Sequence, residues 1–200
     1  MSMTITADQV RQLREQTGAG MMECKKALAE TGGDFPKAVE LMRKSGIARA
    51  EKRSDRAASE GLVEAYIHPG NRVGVLIEVN CETDFVARTD EFRDLVRNLA
   101  MQAAAAGAEF LRREEVPAER LDKEREIIAA QLANEGKPAN MIDKISEGKL
   151  NKFYSEVCLM EQAFIKDDKK SIGDLVKEIS SKCGENIVVR RFVRFRLGSE

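Results

Sequence analysis

Val73-Gly74-Val75-Leu76-Ile77-Glu78-Val79-Asn80-Cys81-Glu82-Thr83-Asp84-Phe85-Val86-Ala87-Arg88 opens as a strand and does not close as one, and that change decides the fold. Val73, Val75, Ile77 and Val79 alternate with Gly74, Leu76, Glu78 and Asn80 at the period of two that a pleat requires. A helix begins only after this stretch. Thr89 suits an N-cap, Asp90 and Glu91 suit a first turn, and Phe92, Leu95, Val96, Leu99 and Ala103 form a buried stripe at helical spacing. Phe85 belongs to neither pattern. Two readings stay open for it: a local staple closing over the core, or a wedge aimed at a partner.

Upstream, Leu62 to Ile67 reads as a strand. His68-Pro69-Gly70-Asn71 places Pro and Gly where a type II turn needs them, so the two strands form a hairpin. Before it come three short helices, about Ala7 to Glu15, Met21 to Glu30 and Phe35 to Lys44, separated by Thr17-Gly18-Ala19-Gly20 and Thr31-Gly32-Gly33-Asp34. Val10, Leu13, Ala27, Leu28, Ala38, Leu41 and Met42 should meet in their core. Ala48 to Glu60 reads as an exposed linker or a frayed helix.

Downstream, a helix starting at Pro117 runs to about Asn134, where Glu135-Gly136-Lys137-Pro138 breaks the chain. A second long helix follows, with Leu150, Phe153, Tyr154, Val157, Cys158 and Ile165 on one face. Ser171 and Asp174 open a last helix that Gly184 ends. Ile187 to Leu197 returns to strand, with Val189, Val193, Phe195 and Leu197 on one face and Arg190, Phe192, Arg194 and Arg196 on the other. The fold class is α+β. A three-helix module (1–50) and a linker (51–60) precede a core (61–200), in which a small antiparallel three-stranded sheet packs with helices and a helical hairpin spans about 117–165.

Composition removes several functions. With 33 basic and 34 acidic residues, no general field draws the chain to nucleic acid or an anionic membrane. Cys24, Cys81, Cys158 and Cys183 form no Cys-x-x-Cys pair, which argues against a zinc site or a disulfide framework and for reduced thiols in the cytoplasm. The opening Met-Ser-Met-Thr-Ile-Thr-Ala-Asp lacks a signal-peptide pattern, and no stretch reaches the roughly 20 apolar residues of a membrane span. His68 is the only histidine, and no nucleophile with a second orienting group accompanies it. Gly18 to Lys26 lacks the Gly-Lys-Ser/Thr ending of a phosphate loop. No enzyme is expected, and no metal or cofactor. The Arg190, Arg194, Arg196 row with Phe192 reads either as a solvated face or as the RNA-facing strand of a ribosome-associated module. Met21 and Met22 point about 100° apart on a helix, so one of them should be exposed, as suits a partner contact.

Three motifs carry a resemblance: Thr17-Gly18-Ala19-Gly20-Met21-Met22-Glu23-Cys24-Lys25-Lys26-Ala27-Leu28, then Val79 to Arg88, then Glu147-Gly148-Lys149. From about Thr6 to Leu197 the chain resembles bacterial translation elongation factor Ts. The resemblance implies a guanine-nucleotide exchange factor that binds the GTPase elongation factor Tu and acts without covalent chemistry. It implies that the three-helix module is of the ubiquitin-associated type and touches the GTPase domain through Arg14, Met21, Met22 and Lys25. It implies that Thr83, Asp84, Phe85 and Val86 dock beside the partner's magnesium site, with the Phe85 ring inserting between helices and Asp84 holding the loop. His68 matches a turn histidine that reaches the partner in longer members. Those members carry two copies of the sheet-and-helix core and this chain one, so a compensating homodimer is expected, joined through the third strand or the adjoining helices.

Overall fold

The computed structural model describes residues 5–135 and 139–199. The start Met1 to Thr4 and the expected break at Gly136-Lys137-Pro138 lie outside the described residues. The described chain forms α1 (Ala7–Thr17), α2 (Met21–Glu30), α3 (Phe35–Glu51), β1 (Glu60–Ile67), β2 (Val73–Cys81), α4 (Asp84–Ala87) and α5 (Asp90–Ala105). It continues through α6 (Ala118–Asn134), α7 (Ala139–Val157), β3 (Ala163–Phe164), β4 (Asp167–Ser171), α8 (Ile172–Cys183) and β5 (Val188–Arg196). The fold is α+β, with a small antiparallel sheet in the order β1-β2-β5.

Two compact units divide the chain. One comprises the residues up to Leu62 with Val79–Leu95 and Asp174–Val188, the other Val63–Glu78, Val96–Gly173 and the chain from Val189 onward. In the first unit, Thr6 caps α1 through a reciprocal pair with Gln9, and Asp34 caps α3 by accepting from Lys37 N–H. Val10, Leu13, Cys24, Ala27, Leu28, Ala38 and Met42 bury between the three helices, with Leu41 at the edge. Helix α3 runs to Glu51, well past Lys44. Ala50 is buried and Lys177 Nζ lies 2.6 Å from Glu51, so the end of α3 is held by α8 despite its solvated composition. Gly46 matches that approach: a Cβ there would stand 2.9 Å from Ser181 Oγ.

In the second unit, α6 and α7 pack side by side around Val116, Phe153, Val157 and Cys158. Pro117 stands one residue outside α6, as its cap. Helix α7 ends at Val157 instead of continuing to Ile165. The Val157 carbonyl accepts from both Glu109 and Phe110 N–H, at 2.9 and 3.0 Å, and Cys158 pairs with Phe110 as a parallel bridge. Ile165 lies beyond, in a β3–β4 hairpin that the apolar pattern did not announce. Buried Gln102 stitches this hairpin, donating to Gln162 Oε1 and the Ala163 carbonyl and accepting from Ile165 N–H at 2.9 Å. The Asn71 N–H donates to the His68 carbonyl at 2.9 Å across the turn, where Gly70 takes a φ of 90°.

The two faces of β5 differ from the sequence expectation. Arg190 and Arg191 are both exposed, which breaks the alternation. Beyond them Phe192 and Arg194 turn inward, while Val193, Phe195 and Leu197 are exposed.

Gly61 fixes where β1 begins. Its φ is 141°, and an added Cβ would sit 2.1 Å from the Val79 carbonyl oxygen, backbone that cannot yield cheaply. Gly61→Ala is expected to destabilise the protein by about 3 kcal/mol or more, measured as the shift in its urea midpoint.

Candidate functional site

The strand ladder of β2 stops at Cys81, and the next two backbone N–H groups need acceptors elsewhere. Glu185 supplies them. Its Oε2 accepts from Glu82 N–H at 3.1 Å and from Thr83 N–H at 3.0 Å, while its Oε1 accepts from the Thr83 hydroxyl at 2.6 Å. With its proton so directed, Thr83 Oγ1 accepts from Val86 N–H at 3.4 Å and caps the single turn α4. Glu82 answers in the opposite direction, accepting from Asn186 N–H at 2.6 Å and pairing with Arg56 at 3.5 Å. The Asn186 side chain, almost fully buried, donates to the Ser54 and Arg56 carbonyls.

On this fixed turn Ala87 faces inward and Phe85 faces out, 77% exposed. That exposure sets aside the local staple. Asp84 does not hold the loop: its carboxylate pairs with Arg88 one helical turn on, at 2.7 Å, and both are substantially exposed. The loop is held by Thr83 and Glu185. Glu185 and Asn186 escaped sequence analysis because a residue pair after a helix-ending glycine reads as a plain connection.

A second exposed cluster lies on the three-helix module. Met21 and Met22 are both exposed, at 43% and 76%, where only one was expected. Arg14 and Lys25 are exposed beside them, and Arg14, Met21, Arg11 and Gly18 line an open groove of about 570 Å³. Glu23 sets the start of α2, accepting from Gly20 N–H at 3.2 Å and from Arg49 of α3. The hydrogen bond from the Arg49 guanidinium holds the Glu23 carboxyl below its ordinary range, against the opposing effect of burial. His68 lies in the other unit, exposed in its turn, with Nδ1 3.3 Å from the Tyr66 hydroxyl. Among the described residues no group of three or more His, Cys, Asp or Glu is placed to hold a metal ion, and no helix is long and apolar enough to cross a membrane.

The fold and the turn define an α+β class of protein that presents an aromatic side chain on a braced strand-to-helix junction. A family profile described as Elongation factor TS matches residues 40–199. Elongation factor Ts of Moorella thermoacetica is 61% identical over 194 residues, covering 97% of this chain and 96% of that protein. Elongation factor Ts of Carboxydothermus hydrogenoformans is 59% identical, covering 97% and 89%. That of Caldanaerobacter subterraneus subsp. tengcongensis is 58% identical, covering 97% of both. The chain belongs to the elongation factor Ts family, and so to the elongation factors of protein biosynthesis.

Two buried thiols, one in each unit, are quiet. Burial pushes Cys81 up to about 11, helped by the nearby Glu185 charge, and burial does the same for Cys158. A thiolate is the reactive form, so both are protonated at neutral pH. Burial raises Cys183 as well, but Cys183 is partly exposed where Cys24, Cys81 and Cys158 are buried, so it is expected to alkylate first at pH 8 with the other three labelled only on unfolding, as peptide mass mapping of iodoacetamide-treated native protein will show.

Proposed function

We propose that this chain is a guanine-nucleotide exchange factor that binds elongation factor Tu in the cytoplasm and speeds its GDP release by inserting Phe85. The observation that carries this reading is the Phe85 ring, 77% exposed on a backbone turn whose Glu82 and Thr83 N–H groups and Thr83 hydroxyl are all held by Glu185. A flexible loop would let such a ring fold back; the bonds from Glu185 to the start of this turn oppose that. Burying it in a partner yields roughly 1.5 to 3 kcal/mol. At about 1.4 kcal/mol per factor of ten, one ring supplies a ten- to hundredfold shift in affinity. Arg14, Met21, Met22 and Lys25 add a second contact through the three-helix module, and Thr83, Asp84 and Val86 frame the first. His68 is a third contact, on the other unit.

Exchange needs no bond-making group. The factor must bind the nucleotide-free partner more tightly than the GDP-bound one, and linkage makes the effect reciprocal. Bound nucleotide then weakens the factor by the same ratio, so incoming GTP releases it.

The homodimer fits the exposed side of the sheet. Val63, Ile67, Leu76, Val193, Phe195 and Leu197 are all solvent-facing there, an apolar surface crossed by the Arg191–Glu78 ion pair at 2.7 Å and of the kind that homodimer interfaces bury. The same surface favours exchange over RNA binding, because the outward face of β5 carries Val193, Phe195 and Leu197 in place of a continuous arginine row. RNA contacts through Arg190 and Arg196 would weaken steeply with salt, which a filter-binding titration detects.

The decisive experiment follows loss of fluorescent GDP from elongation factor Tu with and without this protein. Phe85→Ala is expected to slow stimulated release at least tenfold while circular dichroism stays unchanged. Asp84→Ala should be milder, and an unchanged rate there would remove Asp84 from the site. Sedimentation at micromolar concentration should give twice the 22.3 kDa chain mass, falling to a monomer in Phe195→Glu. A wild-type monomer would overturn the dimer.

A further inference from the structure

We infer that Glu185 is the positioning residue of the exchange site, acting through the backbone of Glu82 and Thr83 to aim Phe85. The inference rests on the insertion of Phe85 proposed above. One carboxylate takes three donors, the N–H groups of Glu82 and Thr83 and the Thr83 hydroxyl, and all three belong to the turn that carries the ring. No other side chain holds those two amides among the described residues. Helix α4 is one turn long and has too few internal hydrogen bonds to keep its own direction. Its orientation therefore comes from its cap and from what the cap is tied to.

Glu185 is itself braced from both sides. The Ser180 hydroxyl donates to the Glu185 carbonyl at 2.5 Å, and Asn186 ties the next residue to Glu82 and to the chain after α3. Helix α8, which ends two residues earlier, also reaches the three-helix module. Arg53 donates to the Ser180 carbonyl at 3.2 Å, and a Cβ at Gly18 would stand 3.2 Å from Lys182 Cγ. Gly18 opens the short loop that leads into Met21 and Met22, the first residues of α2. The C-terminal turn of α8 thus joins the Phe85 turn to the methionine surface, so both contacts are offered in one fixed arrangement. Fixing a contact in its bound geometry lowers the ordering cost of docking.

The test compares wild type, Phe85→Ala, Glu185→Ala, Glu185→Gln and the Phe85→Ala/Glu185→Ala double variant. Each is assayed for GDP release from elongation factor Tu over a concentration series, and native-state amide exchange is followed at Glu82 and Thr83. In Glu185→Ala those two amides should lose protection, and release at saturating factor should slow about tenfold, the size expected for lost charged hydrogen bonds. The concentration giving half effect should change little, because the three-helix module still docks. Glu185→Gln keeps an acceptor oxygen for the amides and should recover part of the rate; it also carries the comparison if Glu185→Ala fails to fold. The double variant should be no slower than Phe85→Ala alone, since a missing ring cannot be misaimed. Losses that multiply in the double variant, or wild-type release despite unprotected amides, would overturn the role of Glu185. Wild-type release by Phe85→Ala would instead overturn the insertion itself, a result that no Glu185 variant can mimic.

Discussion

The end of a β-strand is a chemical problem before it is a structural one. Where β2 stops, the Glu82 and Thr83 N–H groups leave the ladder half-buried, and an unmet donor there would cost on the order of 1 to 3 kcal/mol. The chain meets them with a carboxylate about a hundred residues further on. A local turn residue would have closed the same bonds and left the turn free to move with its own fluctuations. The distant acceptor makes the turn conditional on α8 being in place, so the direction of Phe85 is a property of the folded unit.

Much of this was legible in the sequence, and what was not has identifiable causes. Val75, Ile77 and Val79 announced β2, and Phe92, Leu95 and Leu99 announced α5, because burial on one face writes a period into the chain. The core of the three-helix module was readable for the same reason, apart from Cys24, whose small thiol carries no strong pattern. The missed features share another trait. The β3–β4 hairpin is built from Asp167, Asp168 and two lysines, with no apolar alternation, and is secured by buried Gln102. The outward face of β5 was misassigned from Phe192 to Phe195 because a period-two argument carries residues past Arg190 to the wrong side once two neighbours face the same way, although Arg196 is exposed as expected.

At the candidate site the division is sharper. The sequence isolated Phe85 by leaving it outside both periods, and motif resemblance gave it neighbours. Neither could show that Asp84 pairs with Arg88, or that Glu185 does the holding, because a contact across a hundred residues leaves no local trace. Periodicity reports what one element buries. It is silent on which polar group a distant turn will lend.

A fixed, exposed aromatic is a poor arrangement for a protein alone, since the same ring turned inward would contribute to stability. It makes sense when the ring's burial is reserved for a second molecule. Coupling then has a simple physical form: the free energy withheld from the factor's own fold appears in the complex, and only in the partner state whose cleft admits the ring. A ring on a mobile loop would bind both partner states with similar averaged contacts and shift neither, because equal affinity for two states moves no equilibrium. In the exchange mechanism proposed above, rigidity under Phe85 is what would turn hydrophobic burial into discrimination between the nucleotide-bound and nucleotide-free partner.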